Sequence, residues 1–503
     1  MKREIKMQKQ SRGRAAIATL LAAMALAGCA VAPAYQPPKA EVPAAFKEAA
    51  GGNWKAAQPA EEAHRGQWWT IFRDPVLDEM QERAGRANQN LKAAAARLVQ
   101  ARARLREARA DLYPSVDGGV GPTRQRPSPA SRGLPADAST SPSTLWRAQA
   151  TVSYEVDLFG RVAASVDAAS AQAEQSEALF RSVQLALQAD VAQAYFLVRE
   201  LDAGQQLYEG TVALRERTLS LIQRRYDEGD ISELDLARAR TELASARSEA
   251  LDIARQRAAA EHALAILLGE APANFSLPPR PLGRLAVSVP PGLPSGLLER
   301  RPDIAAAERA MAAANARVGL AQTAFFPRLE LTGALGYESA QLGDLFNWSS
   351  RTFIFGPLVG TMLTLPIFDG GRREAGLQAA RAAYEEEAAN YRQTVLNAFK
   401  EVEDNLANLR ILGDQYQAQD QAVESAARAA RLSQIQYREG SVSYLDVIDA
   451  DRSVLQQRRV ATRLDGELAR STVNLIRALG GGWDGFVAEQ PPAAALLRTG
   501  QPS

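Results

Sequence analysis

Apolar residues recur at steps of three, four and seven positions along two long stretches of the chain that contain no proline. These stretches lie between Pro142 and Pro272 and between Pro366 and Pro491, and the recurrence is clearest over residues 187–226. Such spacing places apolar side chains on one face of an α-helix and is typical of a coiled-coil seam. Because proline costs about 3 kcal/mol inside a helix, each stretch predicts a pair of very long helices.

Glycine and serine occur at matching positions in both stretches. Gly229 and Gly440 stand where the first helix of each pair is expected to end, since the residue that follows a helix is commonly glycine. The sequences SELD at 232–235 and SYLD at 443–446 come three residues later. A serine with an acid three positions further on is a helix-capping pattern. Each stretch is therefore predicted to form an antiparallel helical hairpin with a tight tip.

The chain as a whole has the pattern of a tandem duplication. Landmarks recur in the same order at a nearly constant offset, which is the signature of an internal repeat. They are Leu91/Ile304 and Pro114/Pro327 at an offset of 213, and Arg161/Arg372, Tyr226/Tyr437, Leu234/Leu445 and Gly269/Gly480 at an offset of 211. We assign residues 90–302 to the first repeat, 303–482 to the second, and 483–503 to a flexible C-terminal tail.

Each repeat also contains two segments with the pattern of β-strands. They cover residues 115–124, 144–158, 328–338 and 351–368. Apolar and polar residues alternate over 329–338, as expected either for a transmembrane strand or for a half-buried strand of a soluble hairpin. The sequence thus predicts an α+β protein in which each repeat supplies two strands and two long helices.

The N-terminal residues have the pattern of a lipoprotein signal peptide. Six basic residues precede an apolar run over 15–27, which is too short to span a bilayer. Cys29, the only cysteine, ends the sequence LAGC, which is a lipobox. We predict that 1–28 is removed, that Cys29 carries the diacylglyceryl and palmitate chains, and that 29–89 forms a lipidated N-terminal segment. Ala30 follows the cysteine where aspartate would favour the inner membrane, so we expect the outer membrane.

The strands predict an oligomeric membrane protein. No run after the lipobox is long and apolar enough for a transmembrane helix, and the predicted helix faces carry charges such as Arg215, Glu216 and Arg217. Strands cross a bilayer only as a closed barrel, and such barrels start at about eight strands. Because four strands cannot close within one chain, we expect a barrel shared by several copies, with the helices extending into the periplasm.

The composition gives no support to an enzyme or to a nucleic-acid-binding protein. The chain is nearly neutral and becomes slightly acidic without its basic signal segment, which argues against a nucleic-acid partner. His64 and His262 stand in unrelated contexts and are expected at the surface. The sequence has no phosphate-binding loop and no clustered metal ligands. We therefore expect no catalytic residues, no metal site and no cofactor.

Seven motifs together resemble a known family. They are WW at 68–69, FRDPVL at 72–77, YEVDLFGR at 154–161, RRPDI at 300–304, FFP at 325–327, FDGG at 368–371 and YREG at 437–440. The chain resembles the TolC/OprM family of outer-membrane factors over residues 66–482, and most closely its NodT-type lipoprotein branch. The resemblance implies a homotrimer with a 12-strand β-barrel and a periplasmic α-helical barrel. It also implies the exit duct of a tripartite efflux or export system, docked to a periplasmic adaptor (membrane fusion protein) and an RND-type inner-membrane transporter.

The resemblance further implies a gate at the periplasmic end. Tyr437, Asp446 and Asp449 of the second repeat match the closing residues of the family, and Asp235 matches their partner in the first repeat. A capping role explains Asp235 and Asp446 equally well, since each follows a serine by three residues. Asp449 has no such explanation, because its counterpart in the first repeat is Arg238. A threefold ring of Asp449 would favour cations.

The hairpin tips are the expected contacts for the adaptor, although turn chemistry alone explains the same residue types. These candidates are Gly229, Asp230, Ile231, Ser232, Gly440, Ser441, Val442 and Ser443. Val442 stands where some family members carry an arginine, so we expect a closing network that differs in detail. Trp68 and Trp69 either pack the N-terminal segment against the helices or belong to an ordinary core.

Two other classes of protein share part of this pattern. A lipid-anchored periplasmic scaffold would have the lipobox and the helical hairpins, but it would lack the four strands within a tandem duplication. An envelope hydrolase would need paired catalytic groups in a cleft, and the sequence offers none. An export duct explains all of the features, and its substrate is not encoded in any motif.

Overall fold

A computed structural model describes residues 35–36, 43, 46–48, 67–283, 300–356 and 362–481. The predicted signal peptide, Cys29, His64 and the C-terminal tail lie outside the described residues. His262 is exposed, as expected.

Long helices make up most of the described chain. In chain order they are α1 (Pro75–Ala87), α2 (Gln89–Ala110), α3 (Arg161–Asp227), α4 (Glu233–Leu267), α5 (Pro302–Thr323), α6 (Arg372–Arg438) and α7 (Tyr444–Ala478). Their lengths repeat: α2 and α5 have 22 residues, α3 and α6 have 67, and α4 and α7 have 35. The predicted duplication of a long helical pair is therefore confirmed. Within the described residues, none of the helices has a stretch that is long and apolar enough to cross a membrane.

The strands form one antiparallel sheet. They are β1 (Ser115–Gln125), β2 (Ser143–Val156), β3 (Arg328–Ser339), β4 (Arg351–Phe355) and β5 (Leu363–Thr364). Their order is β1-β2-β3-β4, and β5 also pairs with β3. The first three strands agree with their predicted bounds to within two residues.

The fourth predicted strand, 351–368, needs a correction. The Gly356 N–H donates to the Thr332 carbonyl at 3.0 Å, whereas the Glu330 N–H donates to the Met362 carbonyl at 2.9 Å. Two steps along β3 therefore correspond to six steps along its partner. Because a regular strand keeps one register, β4 and β5 are two separate strands that follow one another along β3.

The sheet has an apolar face and a polar face, since successive side chains of a strand point to opposite sides. On the apolar face, Val152 of β2 pairs with Val116 on one side and with Gly333 on the other. On the polar face, Arg147 Nε donates to Glu338 Oε2 at 2.8 Å. The outer strands are β1 at one edge and β4 with β5 at the other.

The chain divides into two compact units, each of which draws on both repeats. The first comprises Met1–Pro38, Gln100–Gln175 and Ala307–Asn390, and the second comprises Lys39–Val99, Ser176–Ala306 and Tyr391–Ser503. The sheet belongs to the first unit. The hairpin tips belong to the second.

The tryptophan pair lies in the apolar core of the second unit. The indoles of Trp68 and Trp69 pack edge to face at 5.9 Å, and both residues are buried. Trp68 Nε1 donates to Gln188 Oε1 of α3 at 3.0 Å. Both explanations offered for this pair therefore hold. The two tryptophans are core residues, and Trp68 also attaches the segment before α1 to helix α3.

Candidate functional site at the hairpin tips

The two hairpin tips have the same backbone. At the first tip, Gly229 has φ 81° and its N–H donates to the Tyr226 carbonyl at 2.9 Å, while the Asp230 N–H donates to the Arg225 carbonyl at 2.8 Å. Gly440 has φ 75° and the equivalent bonds at the second tip measure 3.1 and 2.9 Å. This Schellman arrangement satisfies carbonyls at the ends of α3 and α6, and its left-handed residue favours glycine.

Serine begins each return helix, and the acid three residues later turns back to it. The Asp446 carboxylate accepts from the Ser443 N–H at 2.8 Å and from Ser443 Oγ at 2.7 Å. At the first tip, Ser232 Oγ donates to Asp235 Oδ2 at 3.3 Å, and Arg238 Nη1 donates to Asp235 Oδ1 at 3.3 Å. The capping box is therefore complete at Ser443 and Asp446, whereas Asp235 bonds to the side chains of Ser232 and Arg238 and no capping box forms at the first tip.

The hydrogen bonds from Ser443 also set the ionisation of Asp446. The Ser443 hydroxyl, and after it the Ser443 N–H, lower the pKa of Asp446 below the ordinary aspartate value. Hydrogen bonds to the charged form of an acid favour that form. Asp446 is thus a carboxylate at neutral pH, and its predicted part in a gate stays a prediction.

Tyr437 connects the two tips through a residue that the sequence analysis did not identify. Arg225 Nη1 donates to the Tyr437 hydroxyl at 3.1 Å, and the guanidinium lies 5.4 Å from the centre of the tyrosine ring. Burial raises the pKa of Tyr437, against the opposing charge of Arg225. Within the described protomer, the hydrogen-bond partner of Tyr437 is therefore Arg225, while the charge of Asp235 also raises the pKa of the tyrosine.

Asp449 has a cation beside it on its own helix. Arg452 Nη1 lies 3.6 Å from Asp449 Oδ1, and Arg452 Nη2 lies 2.5 Å from Glu242 Oε1 on α4. The hydrogen bond to Glu242 raises the pKa of Arg452, so the guanidinium keeps its charge. Asp449 therefore does not present an isolated negative charge, and an arginine three residues away was the sequence signal for this pair.

A buried ion-pair cluster lies between the hairpins. Arg215 is 4% exposed; its Nη1 lies 3.2 Å from Asp451 Oδ2, and its Nη2 lies 3.5 Å from Glu242 Oε2. Gln434 Nε2 donates to Asp451 Oδ1 at 3.0 Å. Burial raises the pKa of Asp451, while Arg215 and Gln434 act in the opposite direction. The helices α3, α4, α6 and α7 each contribute one side chain to this cluster.

Arg215, which the sequence analysis counted among the charges of the helix faces, is buried. Arg215 lies seven residues after Tyr208 and seven before Ile222, and both of these residues are buried. A spacing of seven keeps a residue on the coiled-coil seam. That spacing was the available signal for a buried arginine.

Besides these polar contacts, an apolar cluster packs the two tips together. It consists of Ile222, Leu236, Ala239, Tyr444, Val447 and Ile448, with Ile231 and Tyr437 packed against it. Six of the eight predicted adaptor contacts are exposed, and Ile231 and Val442 are partly buried. The tips therefore present mainly backbone, glycine and serine to their surroundings.

Comparison with known proteins agrees with this architecture. The profile of the outer membrane efflux protein family matches residues 82–270 and again residues 293–481. The chain is 36% identical over 470 residues to the probable efflux pump outer membrane protein TtgC of Pseudomonas putida, covering 92% of this chain and 94% of that protein. It is also 36% identical over 473 residues to the outer membrane protein OprJ of Pseudomonas aeruginosa, covering 93% and 96%.

A solved structure agrees as well. The open state of the MtrE outer membrane channel of Neisseria gonorrhoeae matches with a TM-score of 0.77 and 31% identity, covering 90% of this chain and 98% of that chain. The double match of the profile confirms the tandem duplication inferred from the sequence landmarks. This chain belongs to the outer membrane efflux protein family.

Proposed function

We propose that this chain is the outer-membrane exit duct of a tripartite efflux pump. The observation that carries the proposal is the double match to the outer membrane efflux protein family. It is supported by 36% identity, over 92% of this chain, to a probable efflux pump outer membrane protein. The duct is passive: an inner-membrane transporter supplies the energy, and a periplasmic adaptor connects the transporter to the duct. No step of this function requires a catalytic group.

Three copies of the chain share one closed sheet in the proposed assembly. The described sheet ends at β1 on one side and at β4 with β5 on the other. In hydrocarbon, each unpaired backbone group costs several kcal/mol, so these edges need a partner strand. A neighbouring copy supplies it, because β1 of one chain and β4 of the next are both edge strands.

The duct closes at the hairpin tips. The contact between Arg225 and Tyr437 and the ion pairs of Arg215 hold the second hairpin against the first within each protomer. Opening separates at least some of these contacts. Asp446 and Asp449 line the narrowed end, where carboxylates favour the passage of cations over anions.

The adaptor binds the exposed residues of the tips, and the transporter is of the RND type. Both statements rest on the family resemblance and on the exposure of the tip residues. Cys29 anchors the mature N-terminus to lipid of the outer membrane. A variant Cys29→Ser is expected to lose labelling by radioactive palmitate while the protein still reaches the outer membrane. Unchanged labelling would contradict the lipid anchor and leave the duct proposal intact.

Planar-bilayer recording tests the duct directly. The purified protein should give a small conductance that is selective for cations in a salt gradient. The double variant Asp446→Ala/Asp449→Ala should conduct more and should be blocked less by multivalent cations added at the tip side. Asp404→Ala, which removes an exposed carboxylate from α6 far from the tip, is the control and should leave both properties unchanged.

Two outcomes contradict the proposal at different points. A purified protein that forms no conducting species refutes the duct. A reversal potential that the double variant does not alter means that these aspartates do not line the pore, and then their capping role is their whole function.

A further inference from the structure

The charged residues of the sheet are divided unequally between its two faces. Residues that pair across neighbouring strands share a face, so the register assigns each of them. The carboxylates of β1 to β5 all lie on the polar face: Asp117, Glu155, Glu330 and Glu338. The apolar face carries Arg124 of β1 and Arg351 of β4, and the strands place no acid on that face. The apolar face therefore has a positive charge that the sheet itself does not offset.

Both arginines lie toward the end of the sheet that is farthest from the long helices, which we call the distal end. Strand β1 starts shortly after α2, so Arg124, near the last residue of β1, is distal. Arg351 is the first residue of β4 and pairs with Tyr337 near the end of β3. At the helix end of the same face, Val156 pairs with Leu329, and the described strands place no charged residue there. The positive charge is thus confined to one end of the apolar face.

Neither guanidinium is neutralised within the described part of the chain. Arg124 and Arg351 are exposed, and neither forms an ion pair with a described carboxylate. Arg351 Nε donates to the Trp348 carbonyl at 3.0 Å, and its guanidinium lies over the indole of the same residue. An aromatic ring in that position attracts a cation but does not cancel its charge. The remaining N–H donors of both arginines are therefore accessible to an anionic ligand.

Aromatic side chains accompany the arginines at the distal end. Trp146 of β2 and Tyr337 of β3 lie there on the apolar face. Phe346, in the loop after β3, packs edge to face against Tyr337 at 5.6 Å, and Trp348 in the same loop is 77% exposed. Tryptophan and tyrosine are enriched where the hydrocarbon of a membrane meets its headgroups. The distal end therefore combines exposed aromatic rings with cations, as expected at the level of lipid headgroups.

We propose that Arg124 and Arg351 bind phosphate groups of lipid headgroups in the membrane leaflet that surrounds the distal end. This inference rests on the proposed duct, in which the apolar face meets lipid and the helices extend to the opposite side. A guanidinium group binds phosphate through parallel hydrogen bonds, while its aliphatic stem lies along apolar surface. In the shared sheet, the edge with Arg351 meets the edge with Arg124 of the next copy. Each junction between copies thus presents both cations to the headgroups.

Native mass spectrometry of the full-length protein in detergent tests the site. The probe is lipid A, a phosphorylated glycolipid, and the comparison is the same lipid after removal of its phosphates. Wild-type protein should bind the phosphorylated lipid about tenfold more tightly, a ratio that corresponds to one or two charged contacts. The double variant Arg124→Gln/Arg351→Gln should lose this preference, and Arg124→Lys/Arg351→Lys should keep part of it. Arg328→Gln, which changes an exposed arginine at the helix end of β3, is the matched control and should bind like wild type.

Three results would overturn the inference. Equal affinities for the two lipids would mean that the arginines recognise no phosphate, and a double variant that keeps the full preference would place recognition elsewhere. Displacement of lipid A by millimolar inorganic phosphate, but not by chloride at the same ionic strength, would make free phosphate the ligand.

Planar-bilayer recording separates this inference from the proposed duct. The double variant should conduct like wild type, which also shows that it is folded. A conducting wild type without lipid preference refutes the headgroup site alone, whereas a wild type that binds lipid A and never conducts refutes the duct. If the double variant does not conduct, the single variants Arg124→Gln and Arg351→Gln replace it, and each should weaken lipid A binding about threefold. Unchanged binding by both single variants would equally overturn the inference.

Discussion

The first and second hairpins of this chain share their backbone and differ in their charges. Both tips have a left-handed glycine, the same pair of capping hydrogen bonds and a serine before the return helix. The side chains that join the hairpins have no such symmetry. Arg215 corresponds to Ala426 in the second repeat, and Asp451 corresponds to Arg240 in the first. Each member of the buried ion pair is thus found in one repeat alone.

The backbone of the tips and the side chains that join the hairpins differ in symmetry because they meet different requirements. A helix end needs the same backbone chemistry wherever it occurs, so duplication leaves glycine and serine in place. A polar contact between two copies of one hairpin needs complementary groups, and identical copies would often bring like charges together. Divergence at positions such as Arg215/Ala426 and Arg225/Gln436 places donors of the first hairpin opposite acceptors of the second. Arg452 of the second hairpin donates in the opposite direction, to Glu242 of the first. The asymmetry between the two tips therefore arises from side chains rather than from the fold.

Removing Arg215 should have the largest consequence. Arg215→Ala leaves Asp451 as a largely buried carboxylate without its cation, whereas Glu242 keeps its ion pair with Arg452. Breaking a buried ion pair in this way costs about 3–5 kcal/mol of stability. The thermal midpoint of the purified protein in detergent measures the loss. Arg217→Ala, which changes an exposed arginine on the same helix, should shift the midpoint little. Similar midpoints for the two variants would mean that Arg215 is hydrated and that the asymmetry of charge is unimportant for stability.

The shared backbone predicts equal effects at the two tips. Gly229→Ala and Gly440→Ala place a Cβ on a left-handed residue, and each should cost about 1–2 kcal/mol. Gly413→Ala, inside α6 with no other atoms close to the new methyl group, should instead stabilise by about 0.5–1 kcal/mol. Chemical denaturation of the three variants tests both statements. Clearly unequal losses at Gly229 and Gly440 would show that tertiary contacts, rather than turn chemistry, hold one of the tips.

The sequence predicted the features that local chemistry determines. Helix ends at Gly229 and Gly440, capping serines and three of the strands all follow from short patterns whose physical basis lies within a few residues. The fourth strand was predicted as one segment because its sequence does not reveal the change of register between β4 and β5 along β3.

The contacts between hairpins were predicted less well, for a related reason. Arg225, Arg452 and Glu242 find their partners on other helices, and which faces meet is decided by the packing of whole helices. Arg215 is the exception, because its place between Tyr208 and Ile222 on the seam already indicated burial. A charged residue at a seam position is a signal of a buried partner, and the partner itself remains to be found in the structure.

The contact between Tyr437 and Arg225 predicts an unequal response of two equivalent tyrosines. Tyr437→Phe removes the acceptor of the Arg225 guanidinium and should cost about 1 kcal/mol, as a hydrogen bond of this kind does. Tyr226→Phe, the same change at the equivalent exposed position, should cost little. A double-mutant cycle with Arg225→Ala isolates the pair. Additive effects of Tyr437→Phe and Arg225→Ala would mean that the two side chains do not interact in solution.

The smallest effect concerns the acid stability of the second tip. The pKa of Asp446 is lowered in the folded protein by its bonds to Ser443, so the folded state binds this proton less readily than the unfolded state. The stabilisation is therefore present above the unfolded pKa near 3.8 and is lost as the pH falls through the folded pKa below it. In thermal melts recorded between about pH 2 and 6, the range over which aspartates titrate, the midpoint should fall less steeply toward acid pH in Asp446→Asn than in wild type. Glu439→Gln removes an exposed carboxylate from the same tip and controls for net charge. If the pH dependence of the midpoint changed equally in both variants, it would be due to overall charge and not to the cap.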